Sequence, residues 1–203
     1  MNREASRPDS AFTGRSRTDG ELLESVGRGD AAAFSEIVGR YHQPVYRLVW
    51  RMTSGHADSE DIAQEAFLKL WRNPAQVREA AALKGWLMRV ASNAVIDRSR
   101  KPRHDGLDAA PEISDPVARP DAPLDRKQAA RLVDAGIARL PERQRLALSL
   151  VYFEGMSNID AAAAMDVSIE AVESLLARAR RNLKDSLSAQ WRDLLDGLSE
   201  TGH

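Results

Sequence analysis

The sequence predicts an all-α protein made of two small helical domains joined by an acidic, Pro-rich linker, the second domain ending in a helix-turn-helix. Three observations predict it. Apolar residues recur at three- and four-residue steps over residues 19–103 and again over 126–190, and neither stretch alternates with the two-residue period of a strand. Between them, residues 104–125 carry Pro111, Pro116, Pro120 and Pro123, with Asp105, Asp108, Glu112, Asp115, Asp121 and Asp125 set against Arg119 alone. Helix cannot run through so many prolines, and a charged, Pro-rich segment extends as a semi-rigid tether. Residues 157–184, SNIDAAAAMDVSIEAVESLLARARRNLK, then read as a short helix, a tight turn and a longer amphipathic helix with a basic end.

Residues 1–18 are polar and rich in Ser, Arg and Thr, and are expected to form a disordered arm. The first domain opens with Asp19 or Asp30 as the candidate helix cap. Phe34, Ile37, Val38, Tyr41, Val45, Leu48, Val49 and Met52 trace one apolar stripe, in which Pro44 is expected to kink the helix and Gly55 to close it. In DSEDIAQEAFLKLW, residues 58–71, the inner stripe is Ile62, Ala63, Ala66, Phe67, Leu70 and Trp71. Asp61 and Glu65 are left one turn apart on the outer side with Gln64 nearby, where helix-dipole electrostatics alone also accounts for carboxylates. The third segment turns Leu83, Trp86, Leu87, Val90, Ala91, Ala94 and Val95 inward. Its other side and tail carry Lys84, Arg89, Asn93, Arg98, Arg100, Lys101 and Arg103, which with Arg78 outnumber Glu79 and Asp97. Cations meet phosphates, and a neighbouring aromatic or amide can hold an unstacked base.

In the second domain Ser157 and Ser168 are the expected caps of the two helices, with Asp160 and Glu170 in their first turns. Val172, Leu175, Leu176, Ala179, Leu183 and Leu187 form the inner side of the longer helix, so Glu170, Glu173, Ser174, Ala177, Arg181 and Lys184 face outward, flanked by Arg178 and Arg180. Such a helix fits the major groove of B-DNA, its first side chains at base edges and its later cations at phosphates. A helical hairpin with a solvated basic face fits the same pattern. Residues 191–203 remain as a tail.

Composition bounds the function without naming it. Lys and Arg number 29 against 30 Asp and Glu, so the distribution of charge carries the information rather than the total. The chain has no Cys, which excludes disulfides, thiolate metal sites and a Cys nucleophile. No apolar run approaches a bilayer-spanning length and the start has no apolar signal core, so a cytoplasmic protein is expected. His42, His56, His104 and His203 are scattered without metal spacing, and neither a nucleophile motif nor a Gly-rich phosphate loop occurs. An enzyme, a metal or another cofactor is therefore not expected.

These segments, in this order, closely resemble the extracytoplasmic-function (ECF) group of bacterial RNA polymerase sigma factors, two-domain members of the sigma-70 family. DSEDIAQEAFLKLW, with its D-x-x-Q-E-x-F-x-x-x-W pattern, is similar to region 2.2. LKGWLMRVASNAVIDRSRK, with W-L-x-x-x-A-x-N-x-x-I-D-x-x-R, is similar to regions 2.3 and 2.4, and the run from Leu140 to Leu183 that starts L-P-x-x-Q-R is similar to region 4. The resemblance covers roughly residues 20–190 and implies sigma region 2 over 19–103 and region 4 over 126–190. It implies that Asp61, Gln64 and Glu65, with Phe67 and Leu70 as apolar support, bind core RNA polymerase. It also implies that Lys84, Trp86, Arg89, Ser92, Asn93, Asp97, Arg98, Arg100 and Lys101 serve the minus-ten element, where a flipped base is captured. Ser168, Glu170, Ala171, Glu173, Ser174, Ala177, Arg178 and Arg181 correspond to readers of the minus-thirty-five element.

The expected partners are core RNA polymerase, promoter DNA and an anti-sigma factor. The recognition helix departs from many relatives by placing Glu170, Glu173 and Leu175 where they often have Arg; Glu can accept from a cytosine amino group but repels phosphate. Two alternatives share parts of the pattern. A sigma-like mimic that titrates an anti-sigma factor would retain both domains, and a helix-turn-helix transcription regulator would leave the first domain's motifs unused.

Overall fold

The computed structural model describes residues 16–55, 58–100 and 124–200, with only the backbone described at 99–100, 124–130 and 189–200. Eight α-helices follow in order: α1 Asp19–Gly27, α2 Ala31–Thr53, α3 Ser59–Arg72, α4 Leu83–Arg100, α5 Leu124–Ala138, α6 Glu142–Leu148, α7 Asn158–Met165 and α8 Ile169–Glu200. Two 3₁₀ turns, Pro74–Gln76 and Ala80–Ala82, link α3 to α4, and a π-helical turn, Ser149–Phe153, continues α6. No strand occurs among the described residues. The expected arm lies almost wholly, and the expected linker mostly, outside the described residues.

The first unit packs α1, α3 and α4 around α2. Ile37, Val45, Leu48 and Val49 of α2 are fully buried against Ile62, Ala63, Ala66 and Leu70 of α3 and Leu83 and Leu87 of α4. Each such leucine or isoleucine contributes roughly 1.5–3 kcal/mol relative to leaving it in water. Asp30 caps α2 as expected, accepting from the amides of Ala32 and Ala33 at 2.8 and 3.1 Å, and the Ala33 amide leads the contacts that hold its carboxyl below the ordinary value. Asp19 is not a cap. Thr18 is, its hydroxyl accepting from the Glu21 amide at 3.3 Å while the Glu21 carboxylate accepts from the Thr18 amide at 2.6 Å. Asp19 instead binds Arg40 and the Tyr41 hydroxyl, and Arg17 meets Glu36 at 2.8 Å, so the end of the arm is tied to α2. Burial beside Asp19 pushes the Tyr41 phenol up to about 12. Helix α2 continues through Pro44 and stops at Ser54 and Gly55, both at positive φ.

The second unit wraps α5, α6 and α7 on α8. Ser157 caps α7, accepting from the Asp160 amide at 3.1 Å, and Ser168 accepts from the Ala171 amide at 3.2 Å at the start of α8. Met165 ends α7 at Asp166, whose positive φ of 53° makes the tight turn. Val172, Leu176 and Ala179 are buried and Leu175, Leu183 and Leu187 half-buried, so the stripe read from the sequence is the inner side of α8. The backbone of α8 does not stop at residue 190 but continues as helix to Glu200.

Two parts of the inner stripes differ from expectation. Trp71 is 36% exposed at the edge of α3, its ring 5.0 Å from that of Phe34. Met88 and Ser92, off the expected stripe of α4, are buried. Helix α4 packs on α2 and α3 and also on α7 of the second unit, so it has apolar surroundings on more than one side.

Candidate nucleic-acid interface

On α3, Asp61, Gln64 and Glu65 are exposed and share the outer side, above Phe67 and Leu70, which are 3% and 0% exposed. Glu65 is restrained by Lys69 one turn on, at 3.2 Å. Leu68, 41% exposed, stands on this same face and was missed from the sequence. Its signal was available: it lies three and four residues beyond Glu65 and Gln64, off the inner stripe. An acidic rim around an exposed leucine is a surface suited to a basic partner with an apolar centre.

On α4 the structure brings together some of the expected strand-binding residues and separates others. Arg89, Asn93, Asp97 and Arg98 are exposed along one side, with Arg98 Nε 3.3 Å from the Asp58 carboxylate. Ser92 faces the core, and its hydroxyl donates to the Met88 carbonyl at 2.7 Å, so it supports the helix rather than its outer face. Trp86 is 7% exposed. Lys84 is half-buried and donates to the backbone carbonyl of Glu154 at 2.6 Å. The side chain of Arg100 and all of Lys101 lie outside the described residues.

A cleft of about 930 Å³ opens beside these groups, with Arg78, Lys84, Trp86 and Arg89 on one wall and Gly155, Met156, Asp160 and Ala164 on the other. It lies on the seam between the two units. Along that seam Arg51 meets the Glu154 carboxylate at 3.3 Å and caps the Phe153 ring at 4.0 Å. Arg47 approaches the other carboxylate oxygen at 3.6 Å, and Arg145 donates to Ser54 at 3.1 Å. Burial pulls the Arg145 guanidinium below its ordinary value. None of Arg47, Arg51 or Glu154 carried a motif.

On α8, Ser168, Glu170, Glu173, Ser174, Ala177, Arg178 and Arg181 are exposed and Ala171 half-buried, so the expected reading face is open to solvent. Its own amide and the Ser168 hydroxyl hold the Glu170 carboxyl below its usual range, fixing a negative charge at the start of the helix. Arg178 donates to the Ser174 hydroxyl at 2.7 Å and folds back along the helix. Arg181 is exposed on the same side, about one turn farther along. The result is a graded helix, negative at its N-terminus and positive beyond its middle.

Two family models match the chain, one in each unit. The family model for Sigma-70 region 2 matches residues 37–104, and that for Sigma-70, region 4 matches residues 130–183. The chain is 31% identical to the RNA polymerase sigma-H factor of Pseudomonas aeruginosa, over 86% of this chain and 96% of that protein. It is 33% identical to the ECF RNA polymerase sigma factor SigM of Mycobacterium tuberculosis, over 87% of this chain and 88% of that one. Among solved structures it is similar in fold to CnrH in complex with the cytosolic domain of CnrY, with a TM-score of 0.63 and 24% identity over 84% of this chain and 97% of CnrH. It is also similar to the sigma factor RpoE in complex with the anti-sigma factor NepR from Bartonella quintana, with a TM-score of 0.64 and 23% identity over 76% of this chain and 96% of that one.

Proposed function

The chain belongs to the ECF sigma factors of the sigma-70 family, and from that premise we propose that it binds core RNA polymerase, recognises minus-ten and minus-thirty-five promoter elements and initiates transcription as an alternative sigma factor. The observation that carries this reading is the presence on one chain, in order, of both sigma regions, each with an exposed face of the required chemistry. The acidic face of α3, Asp61, Gln64, Glu65 and the added Leu68, docks on polymerase. Arg89, Asn93, Asp97 and Arg98 line the path of the melted strand and Trp86 closes its pocket, while Ser92 and Leu70 hold these surfaces in shape. The exposed side of α8 reads the upstream element. Residues 19–103 and 126–190 are the two working domains, and the intervening residues tether them.

The protein performs no covalent chemistry of its own and acts in the cytoplasm, where polymerase is. An anti-sigma factor controls it; the complexes of CnrH with CnrY and of RpoE with NepR support this. The deciding experiment is in vitro transcription with purified core polymerase on a library of genomic fragments. Initiation at a defined set of sites is expected. Absence of initiation, with the protein folded, would leave the titrating mimic or the simple regulator as the function.

A further inference from the structure

Ile169 is the one large apolar side chain exposed on α8 among the described residues, 39% open, and it stands at the first position of that helix, directly after the Ser168 cap. The polar groups around it are engaged. The Ser168 hydroxyl accepts from the Ala171 amide at 3.2 Å and meets the Glu170 carboxylate, and the Ser174 hydroxyl holds the Arg178 guanidinium at 2.7 Å. That leaves Ile169 and Glu173, both exposed and one turn apart on one side of the helix start, with Cβ atoms roughly 5–6 Å from one another. Neither suits a phosphate: an isoleucine offers it no bond and a carboxylate repels it. At the start of a recognition helix, where base edges are met, each finds a partner of one kind. An apolar side chain packs on the C5-methyl group of thymine, and a carboxylate accepts from the N4 amino group of cytosine. Both groups belong to pyrimidines, whereas arginine seeks the acceptor atoms of guanine. On α8 the exposed arginines, Arg178 and Arg181, follow only beyond the second turn.

We infer that Ile169 is a specificity-determining residue that packs on a thymine methyl group of the upstream element, and that Ile169 and Glu173 together read pyrimidine edges, a thymine and a cytosine within two base steps of each other. The inference rests on the reading of the chain as a sigma factor and names the bases its helix-turn-helix takes. Bases follow one another at about 3.4 Å along a strand, so a Cβ spacing of roughly 5–6 Å spans one to two steps. Ile169 selects by apolar contact, and burial of a single methyl group changes affinity about fourfold. Glu173 selects also by rejection, since guanine in place of cytosine would set its O6 and N7 acceptors against a carboxylate.

Selection from a pool of randomised duplex DNA, by the full chain bound to core polymerase and in parallel by the full chain alone, supplies the element. Each thymine in it is then replaced singly by deoxyuridine, which removes only the methyl group. Wild type, Ile169→Ala and Ile169→Val, each checked for helicity, are compared by fluorescence anisotropy on the thymine and deoxyuridine duplexes. Deoxyuridine at one position is expected to weaken wild-type binding about fourfold. Ile169→Ala is expected to bind both duplexes alike, as weakly as wild type binds the deoxyuridine form, with Ile169→Val intermediate. Glu173→Ala is expected to keep the methyl dependence and lose the preference for cytosine within two steps of that thymine. Equal binding of every deoxyuridine duplex by wild type, a methyl preference that persists in Ile169→Ala, or enrichment of no element in either selection overturns the proposal. If the methyl dependence follows expectation but polymerase initiates nowhere on DNA carrying the element, it is the sigma-factor reading that fails. Initiation without methyl dependence leaves that reading standing and removes Ile169 from the readers.

Discussion

Lys69 Nζ lies 3.2 Å from Glu65 Oε1 across one turn of α3, so the face assigned to polymerase is a carboxylate held by its own helix rather than a free charge. A Lys at position 65 would put two like charges one turn apart, a penalty of about 0.2–0.5 kcal/mol in an exposed helix. Helix α3 tolerates that. Asp61→Lys with Glu65→Lys is thus expected to leave circular dichroism unchanged and to weaken association with core polymerase by about 2–5 kcal/mol, as for partners removed from desolvated polar contacts. A competition assay against the wild-type chain measures it, and equal affinity would remove this face from the interface.

Strand opening is expected to depend on Asn93 and Arg98, which are exposed on α4, Arg98 beside Asp58. Asn93→Ala and Arg98→Ala should impair open-complex formation more than closed-complex binding. Permanganate reactivity of melted thymines reports the difference; melting at wild-type rates in both variants would place strand capture elsewhere.

The graded charge of α8 divides its labour. Glu173→Ala is expected to relax preference at one position of the upstream element, as a base reader does. Arg178→Ala and Arg181→Ala should weaken binding to all promoters alike and reduce the salt slope by about one unit each. Binding over a salt series, on wild-type and single-base variant elements, separates these behaviours. An altered base preference in Arg178→Ala with an unchanged slope would reverse the assignment.

Gly55 is the stop of α2, at φ +81°, and a Cβ there would lie 3.0 Å from the Trp50 ring. Gly55→Ala meets both a strained backbone conformation and that ring, so a loss of about 1–3 kcal/mol is expected. Thermal unfolding of the variant measures it, and an unchanged midpoint would show that the turn relaxes without cost.

Asp30 links α2 to acidity. Its carboxyl is held below 3.8, chiefly by the Ala33 amide, so the charged form favours the folded state. A depressed carboxyl contributes stability above the unfolded value and loses it as pH falls through the folded one. Asp30→Asn keeps a capping acceptor without the charge. The midpoint difference between wild type and Asp30→Asn is expected to be present near neutrality and to shrink as pH falls below 3.8. A difference independent of pH would assign the cap no electrostatic part.

The inner stripes of α2, α3 and α8 were legible because burial there follows the 3.6-residue period within one unit. The acidic face of α3 and the outer side of α8 were legible for the same reason, as the complement of those stripes. Met88 and Ser92 were not, because what helps to enclose α4 is α7, brought from far along the chain. Nor was Glu154, whose partner Arg51 is 103 residues away and carries no local pattern. The misplaced cap at Asp19 had a usable signal: Thr18 is followed three residues later by Glu21, the spacing of a capping box.

The wide turn at Ser149–Phe153 bears on this last group. The Glu154 amide bonds to the carbonyl of Ser149, five residues back, instead of four. At 3.6 residues per turn, Glu154 would stand on the same side as Ala147 and Leu150, both fully buried, and its charge would aim into the hydrocarbon of its own unit. The additional residue changes the phase of the helix and swings the carboxylate toward Arg47 and Arg51. Chain length between Leu148 and Glu154 and the width of this turn are consequently coupled: closing the turn to ordinary pitch at the present length would carry the charge off the seam, whereas removing one residue would give ordinary pitch with the glutamate still beside Ser149, four positions on instead of five.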